Sequence, residues 1–217
     1  MKNSLLIILI FSFTLTGFSQ DPDAWLMKAR KYKRTGQLDS AVEYFNKTGA
    51  YFRARGVFDE SYAAFMEGYA INDSIQGPGL SKSLLFLGSV EGMRDQPALA
   101  AEFFKRAINI ASKLQDHEDS LRYAQGHSSL GIELIRLSDF DSAEYVLNEA
   151  YRMGRLIPML PSWFGTVNTN LGLLEETRGN HSASHNYYQR ALQIFKKDSI
   201  INKMALAYQN LGVSSMQ

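Results

Sequence analysis

One glycine recurs along the chain at a nearly constant interval, each time inside a stretch that otherwise has the pattern of a helix. These glycines are Gly49, Gly88, Gly131, Gly172 and Gly212, and the intervals between them are 39, 43, 41 and 40 residues. A glycine in the middle of a helix costs roughly 1 kcal/mol relative to alanine, so its repetition indicates a compensating contact. Such self-similarity is typical of a stacked helical repeat.

A second pattern starts twelve residues after each of the first four glycines. It consists of a small residue, a large residue four positions later, and another small residue three positions after that. The leading small residues are Ser61, Ala100, Ala143 and Ser184, and the large ones are Phe65, Phe104, Leu147 and Tyr188. Spacings of four and three place these residues on one helical face. The pattern predicts two close-packed helices per repeat, in which the glycine makes room for the large side chain.

Turn-forming residues separate these segments, so we predict an all-α chain without strands. Short breaks such as TRGN at 177–180 lie within the helix pairs, and longer breaks such as QGPG at 76–79 lie between them. The resulting map has helices near 22–35, 38–54, 57–74, 79–94, 97–115, 119–137, 140–155, 162–178, 181–197 and 201–217.

The repeated Leu-Gly pair, followed by the small, large and small residues, resembles the tetratricopeptide repeat family. The pair stands at 87–88, 130–131, 171–172 and 211–212, and the resemblance covers about 22–217. It implies a right-handed α-solenoid of stacked helical hairpins. The common repeat has about 34 residues, and the longer period here resembles the elongated subtype found in large bacterial signalling proteins.

Two repeat frames fit the beginning of the chain. The longer period gives a capping helix at 22–37, repeats near 38–78, 79–118, 119–160 and 161–200, and an incomplete repeat at 201–217. A repeat of ordinary length also fits, with Trp25, Ala29, Tyr32, Gly36, Ala41, Phe45 and Thr48 at its offsets. We prefer the longer frame because it explains more of the chain.

The first nineteen residues have the layout of a secretory signal peptide. Lys2 forms a short basic region, 5–15 is apolar, and Gly17 and Ser19 are small residues before a predicted cleavage after Ser19. An uncleaved membrane anchor is the alternative, although the apolar run is short for a span of about 20 residues. We expect an exported, periplasmic or extracytoplasmic protein whose mature part does not insert into a membrane.

Composition and motifs argue against several classes of function. The net charge of +1 offers no overall field to attract nucleic acid. The chain has no cysteine, which excludes disulfides and thiolate chemistry. His181 and His185 have a spacing that can bind zinc, but a third ligand is missing, and we interpret them as the start of a second helix. We therefore expect no metal, no cofactor and no enzymatic activity.

The resemblance implies a binding groove lined by the first helix of each pair. Its contact positions would be those three and two residues before each glycine and one residue after it. Carried over, these positions give Asn46, Lys47, Ala50, Leu85, Phe86, Ser89, Ser128, Ser129, Ile132, Thr169, Asn170, Leu173, Gln209, Asn210 and Val213. The groove is rich in amides, hydroxyls and aliphatic groups, which suits an extended peptide or a partner helix.

Two functions fit this reading. The first is a non-catalytic, exported scaffold that binds a protein or peptide. The second is the N-terminal extracytoplasmic sensor region of a larger membrane signalling protein, of the histidine kinase or transcription regulator type. The segment 201–217 has the pattern of a first helix whose second helix does not follow, so we expect a downstream domain or self-association there.

Overall fold

A computed structural model describes residues 21–77, 79–113, 117–157 and 161–214. The predicted signal peptide at 1–19 therefore lies outside the described residues. The described helices are α1 (Pro22–Arg34), α2 (Leu38–Ala54), α3 (Phe58–Ser74), α4 (Leu80–Met93), α5 (Pro97–Ala111), α6 (His117–Arg136), α7 (Phe140–Leu156), α8 (Pro161–Thr177), α9 (His181–Lys197) and α10 (Ile201–Ser214). No strand occurs among the described residues, and the predicted all-α fold is confirmed.

Each helix begins within two residues of its predicted start, because turn-forming residues end the preceding helix at a position that the sequence shows. Gly36 and Gly179 follow helix ends with φ angles of 74° and 82°, a left-handed conformation that glycine adopts without steric cost. The next amide then donates to a carbonyl five residues earlier, as Asn180 N does to Glu175 O at 2.7 Å. This is the hydrogen-bond pattern of a Schellman cap.

The helices form consecutive antiparallel hairpins that stack into a solenoid. The most extensive packing lies within the pairs α2–α3, α4–α5, α6–α7 and α8–α9, while α1 packs on α2 and α10 packs on α9. The part of the chain that the structure describes contains no helix long and apolar enough to cross a membrane.

The recurring glycines lie directly beneath the large residues of the second helices. A Cβ added at Gly49 would lie 2.7 Å from the Phe65 ring, and one at Gly172 would lie 2.5 Å from the Tyr188 ring. The equivalent pairs are Gly88 with Phe104 and Gly131 with Leu147. The two helices can approach this closely only because the first presents no side chain at the contact, which offsets the cost of the glycine.

The fifth glycine differs from the other four. Nothing in the described chain lies within 4 Å of a Cβ added at Gly212, and the residue is exposed. Helix α10 packs through Ala207 onto α9, where Ala191 and Phe195 are buried. Three of its apolar residues, Ile201, Leu206 and Tyr208, are exposed.

The small residues of the second helices are buried against the first helices. Ser61, Ala100, Ala143 and Ser184 are all 0% exposed. The Ser61 hydroxyl donates to the Gly49 carbonyl at 2.9 Å, so its one polar group is satisfied inside the hairpin. A larger side chain at these positions would push the two helices apart.

A second periodic element, which the sequence analysis missed, joins neighbouring hairpins. The motif Glu-x-x-Arg recurs every 42 residues at 91–94, 133–136 and 175–178, near the end of α4, α6 and α8. Each arginine pairs with the glutamate of its own motif and with an acidic residue of the preceding hairpin. Those acidic partners are Asp59 for Arg94, Asp95 for Arg136, and Asp141 and Glu144 for Arg178. The motif therefore links one repeat to the next.

Candidate functional site

The first helices line the inner side of the solenoid. Neighbouring first helices contact each other directly in the pairs α4–α6 and α6–α8. Neighbouring second helices have no contact of that extent among the described residues. A solenoid curves toward the side on which its helices are closer together, so the first helices form the concave surface.

This surface opens into a cleft between α2 and α4, which we call the α2–α4 cleft. These two first helices lack the close contact that joins α4 to α6, and a cavity of about 450 Å³ lies between them. Its lining consists of Asp39, Val42, Glu43, Asn46 and Lys47 of α2, Lys82 and Phe86 of α4, Asn72, Gly79 and Arg122. A cavity of this size lies within the usual range of ligand pockets in proteins.

An arginine connects the two walls near the C-terminal ends of the helices. Arg53 Nη1 of α2 donates to Ser89 Oγ of α4 at 3.1 Å. Its guanidinium carbon also lies 5.7 Å from the centre of the Phe86 ring and 5.8 Å from that of Phe65. These two rings stack on each other with centres 4.8 Å apart, so Phe86 is held in a fixed orientation.

At the other end of the cleft, away from Arg53, the side-chain amide of Asn72 at the end of α3 forms the floor. Asn72 is 4% exposed, and its Nδ2 donates to Ser83 Oγ of α4 at 2.9 Å. Gly79 lies against this amide, since a Cβ added there would lie 2.9 Å from Asn72 Nδ2. The connection between the first two hairpins is thereby held close to α4, and this fixes the floor of the cleft.

Among the cations that line the cleft, Arg122 forms ion pairs and the two lysines do not within the described residues. Arg122 is neutralised by Asp119 at 2.8 Å and Glu118 at 3.3 Å. Lys47 Nζ lies 4.2 Å over the Trp25 ring, and Lys82 Nζ lies 5.8 Å from the Phe86 ring centre. Within the described residues neither lysine forms an ion pair with a carboxylate, although both are exposed.

Arg53 is a partly desolvated cation beside this cleft. It is half-buried, and burial lowers the pKa of its guanidinium. Within the described residues it also lacks a carboxylate partner, in contrast to the arginines of the Glu-x-x-Arg motif. The two rings and the Ser89 hydroxyl are its surroundings.

Three of the predicted groove residues meet in this cleft. Asn46, Lys47 and Phe86 line it, and Ser89 binds Arg53 beside it. The missed members Asp39, Glu43 and Lys82 lie one or two helical turns before these positions. The signal for them was present in the sequence, because Glu43 and Lys82 stand four residues before Lys47 and Phe86 on the same helical faces.

Two other predicted groove residues are instead used in packing between α6 and α8. Ser128 is 5% exposed, Asn170 is 7% exposed, and Asn170 Nδ2 donates to Ser128 Oγ at 3.1 Å. Asn170 therefore holds two first helices together and does not present its amide to a ligand. The corresponding positions in α2 and α4 are separated by the cleft.

The remaining predicted groove residues are scattered along the concave surface. Leu85, Ser129, Ile132 and Thr169 are half-buried, and Thr169 Oγ1 donates to Gly165 O of its own helix at 3.0 Å. Leu173 is exposed, Gln209 is exposed, and Asn210 is half-buried on α10. These positions are not gathered into one cavity with the α2–α4 cleft.

The paired histidines start α9, as the sequence suggested. His185 Nε2 lies 2.8 Å from Gln189 Nε2, and His181 is half-buried. The described residues hold no group of three His, Cys, Asp or Glu side chains arranged to bind a metal.

A different histidine is buried in the interior of the solenoid. His127 of α6 is 7% exposed, and neither of its ring nitrogens has a hydrogen-bond partner in the described chain. The Tyr123 ring packs edge-on against it with centres 4.5 Å apart. Burial lowers the pKa of His127, because the charged imidazolium would lose its hydration there.

The fold and the concave cleft define a class of protein, the solenoids of stacked helical hairpins. A family model described as "Tetratricopeptide repeat" matches residues 22–47, which form α1 and the first part of α2. These residues belong to the repeat of about 34 residues that the sequence analysis gave as the alternative frame, with Trp25 and Tyr32 among its positions. The structure accommodates both frames, because α2 packs against α1 on one side and α3 on the other.

Solved structures share the fold of nearly the whole chain. BtubC (BKLC) from P. vanneervenii superposes with a TM-score of 0.74 at 18% identity, covering 92% of this chain and 83% of that one. Cut9–Hcn1, an APC/C hetero-tetramer, superposes with a TM-score of 0.61 at 17% identity, covering 90% of this chain and 36% of that one. A Rap protein complexed with Competence and Sporulation Factor superposes with a TM-score of 0.63 at 15% identity, covering 81% of this chain and 54% of that one.

No curated protein sequence matches the chain. At these identities the structural likeness shows the fold alone. The match to the tetratricopeptide repeat model is confined to residues 22–47.

Proposed function

We propose that this chain is an exported, non-catalytic scaffold of the elongated tetratricopeptide repeat type, which binds a protein or peptide in the α2–α4 cleft. The observation that carries the proposal is the cleft itself. It is a concave cavity with an aromatic ring on the α4 wall and, on both walls, charged side chains that form no ion pair within the part of the chain that the structure describes. Such a combination favours an extended segment that contributes apolar and charged side chains.

The architecture supports binding over catalysis. The second helices and the Glu-x-x-Arg motif hold the first helices at fixed spacing, so the cleft is a rigid, preformed surface. Among structures with this fold, Cut9–Hcn1 is a hetero-tetramer and the Rap structure is a complex with Competence and Sporulation Factor. Binding of a protein or peptide is the function that we carry over from them to this chain.

Export is part of the proposal. It rests on the apolar segment 5–15 between Lys2 and the small residues Gly17 and Ser19. The mature chain would then act outside the cytoplasm, where the lack of cysteine avoids unwanted disulfides.

Site-specific photo-crosslinking in cells that express the full chain tests the binding site. A benzophenone amino acid at position 43, in the cleft, is expected to give a covalent adduct with a partner. The same group at position 102, exposed on α5 on the convex side, is the matched control and should give none. Adducts at 102 with none at 43 would place the binding surface elsewhere and contradict the proposal.

A second candidate function is the interaction region of a larger membrane signalling protein. The exposed apolar residues of α10 favour it, because another helix of such a protein would cover them. Ile201 is 79% exposed, and no described atom lies within 4 Å of a Cβ added at Gly212. Sedimentation of the purified chain separates this candidate from simple self-association. A monomer at all concentrations argues against self-association through 201–214.

A further inference from the structure

We propose that the outer side of the solenoid has a second docking site, a groove between α1 and α3 that receives an amphipathic helix of a partner protein, antiparallel to both. We call it the α1–α3 groove. It is separate from the α2–α4 cleft, because the two open on different faces of α2. Asn46 and Lys47 of α2 line the cleft, whereas Phe45 and Phe52 line the groove.

Helices α1 and α3 form the walls of the groove, and α2 forms its floor. Both helices pack on α2, and among the described residues they have no comparably extensive packing against each other. Two adjoining cavities of about 440 and 290 Å³ lie between them, and both are lined by Arg30, Phe45 and Glu67. The lining extends along α1 from Asp23 to Arg34, a distance of about 16 Å at the rise of an α-helix. The groove therefore has the length of about three helical turns.

The floor and the rim of the groove are apolar. Phe45, which is 1% exposed, lies beneath both cavities, and the half-buried Phe52 extends this floor. The α3 wall contributes the small residues Ala63 and Ala64. Met27 of α1 lies at the rim and is 71% exposed. Small side chains on one wall, with aromatic rings below, leave room for the apolar ridge of another helix.

The charged side chains of the groove change sign along its length. Asp23 and Glu60 lie in the first turns of α1 and α3, which run parallel because each is antiparallel to α2. The exposed basic side chains toward the other end of the groove are Arg30, Lys33 and Arg34. Lys33 pairs with Glu67 across the groove at 2.7 Å, and the other charges named here form no ion pair within the part of the chain that the structure describes. Both partners of that pair are about half exposed, so it is weak and leaves the groove open to a ligand.

This order of charges determines the direction of the bound helix. An antiparallel helix places its N-terminus beside Arg30 and Arg34 and its C-terminus beside Asp23 and Glu60. Acidic residues stabilise the N-terminus of a helix and basic residues stabilise its C-terminus, through the helix dipole. A helix with an acidic first half and a basic second half therefore matches the groove and its own dipole at once. A parallel helix would need the reverse order of charges, which its own dipole disfavours.

A library of helical peptides on beads tests the inference with the full chain. Its members have about 14 residues, slightly more than the groove can span, with acetylated and amidated ends and a hydrocarbon staple that holds the helix. Leucines at spacings of three and four residues form one apolar face, and each flanking position is randomly Glu or Lys. Peptides that bind the wild-type chain are sequenced, and the affinity of the strongest binder is measured by fluorescence anisotropy.

The inference predicts binders with Glu in the first half and Lys in the second half. Arg30→Glu and Glu60→Lys should each weaken binding about tenfold, because an attractive charge pair becomes a repulsive one. Lys31→Glu is the matched control on α1, at an exposed neighbour of Arg30 that does not line the groove. Glu102→Lys, exposed on α5, is the control for Glu60→Lys, and both controls should bind as the wild type does.

A second pair of variants tests the apolar contact. Met27→Ser should weaken binding about fivefold, because the bound helix covers this exposed side chain. Met93→Ser is its matched control, since Met93 is 53% exposed at the end of α4 and does not line the groove. Circular dichroism checks that all variants remain folded.

Other outcomes contradict the inference in distinguishable ways. Binders with Lys in the first half and Glu in the second would overturn the antiparallel orientation. Equal affinity for the wild type and the groove variants would place the peptides on another surface of the chain. A library that yields no binder would show that the α1–α3 groove does not accept a helix, and the α2–α4 cleft would remain to be tested by its own cross-linking experiment.

Discussion

Replacing Gly172 by alanine tests the close packing on which the solenoid depends. The new Cβ would lie 2.5 Å from Cε1 and 2.6 Å from Cδ1 of Tyr188. The ring has little room to move, because Tyr188 is 0% exposed and its hydroxyl donates to Glu176 Oε2 at 2.5 Å. Burial and this carboxylate also raise the pKa of Tyr188, so the hydroxyl stays protonated and the hydrogen bond is kept.

The magnitude follows from two opposing effects. Overpacking in a well-filled core costs about 1–3 kcal/mol, and a glycine-to-alanine change within a helix returns about 1 kcal/mol. Gly172→Ala should therefore destabilise the chain by about 1 kcal/mol. The matched control is Gly212→Ala on the same repeat position, where no described atom lies within 4 Å of the new Cβ. That variant should be neutral or slightly stabilising.

Urea unfolding followed by circular dichroism measures both variants. The expected result is a lower midpoint for Gly172→Ala and an unchanged or slightly higher midpoint for Gly212→Ala. His181→Ala and His185→Ala, at the half-buried start of α9, should shift it less than Gly172→Ala does. Equal midpoints for the two glycine variants, or a larger loss for a histidine variant, would refute the packing argument.

Three further predictions concern His127, Arg136 and the first residue of the exported protein. Burial lowers the pKa of His127, so below about pH 6.5 the unfolded chain takes up a proton at this residue that the folded chain does not, and the free energy of unfolding falls as the pH is lowered. Urea midpoints at pH 7.5 and 5.5 should therefore differ in the wild type and differ much less in His127→Phe. Arg136→Met leaves the Glu133 carboxylate, 7% exposed, without its partner and should cost about 1–3 kcal/mol. Arg152→Met on the surface should destabilise the chain less in the same unfolding assay. N-terminal sequencing of the exported protein should begin at Gln20, and an intact start at Met1 would contradict cleavage after Ser19.

Helices and their pairing could be predicted from the sequence because the signals are local. A spacing of three and four residues defines a face, and turn residues such as Gly36 and Gly179 end the helices through their left-handed backbone. The interval of sixteen residues from Gly172 to Tyr188 is set by the end of α8, a tight turn and the first two turns of α9. Each of these features is contained within one hairpin.

The candidate site was only partly predictable, because it depends on how hairpins are spaced. The same repeat position gives Lys47 at an open cleft and Asn170 in a buried hydrogen bond to Ser128. The difference arises from Arg53, which meets Phe86 and Ser89 at one end of α2 and α4 while Asn72 fills the floor at the other. No local pattern encodes such contacts between residues more than thirty positions apart.

The most direct test of the account is to locate the bound ligand on the protein. Two-dimensional amide NMR of the full chain, titrated with the partner segment that cross-links at position 43, reports each residue that changes environment. The account predicts the largest shifts at 42–47 of α2 and 82–89 of α4, with small changes on the convex helices α5 and α7. Largest shifts on α5, α7 or α10, with 42–47 and 82–89 unchanged, would contradict the claim that the α2–α4 cleft is the binding site.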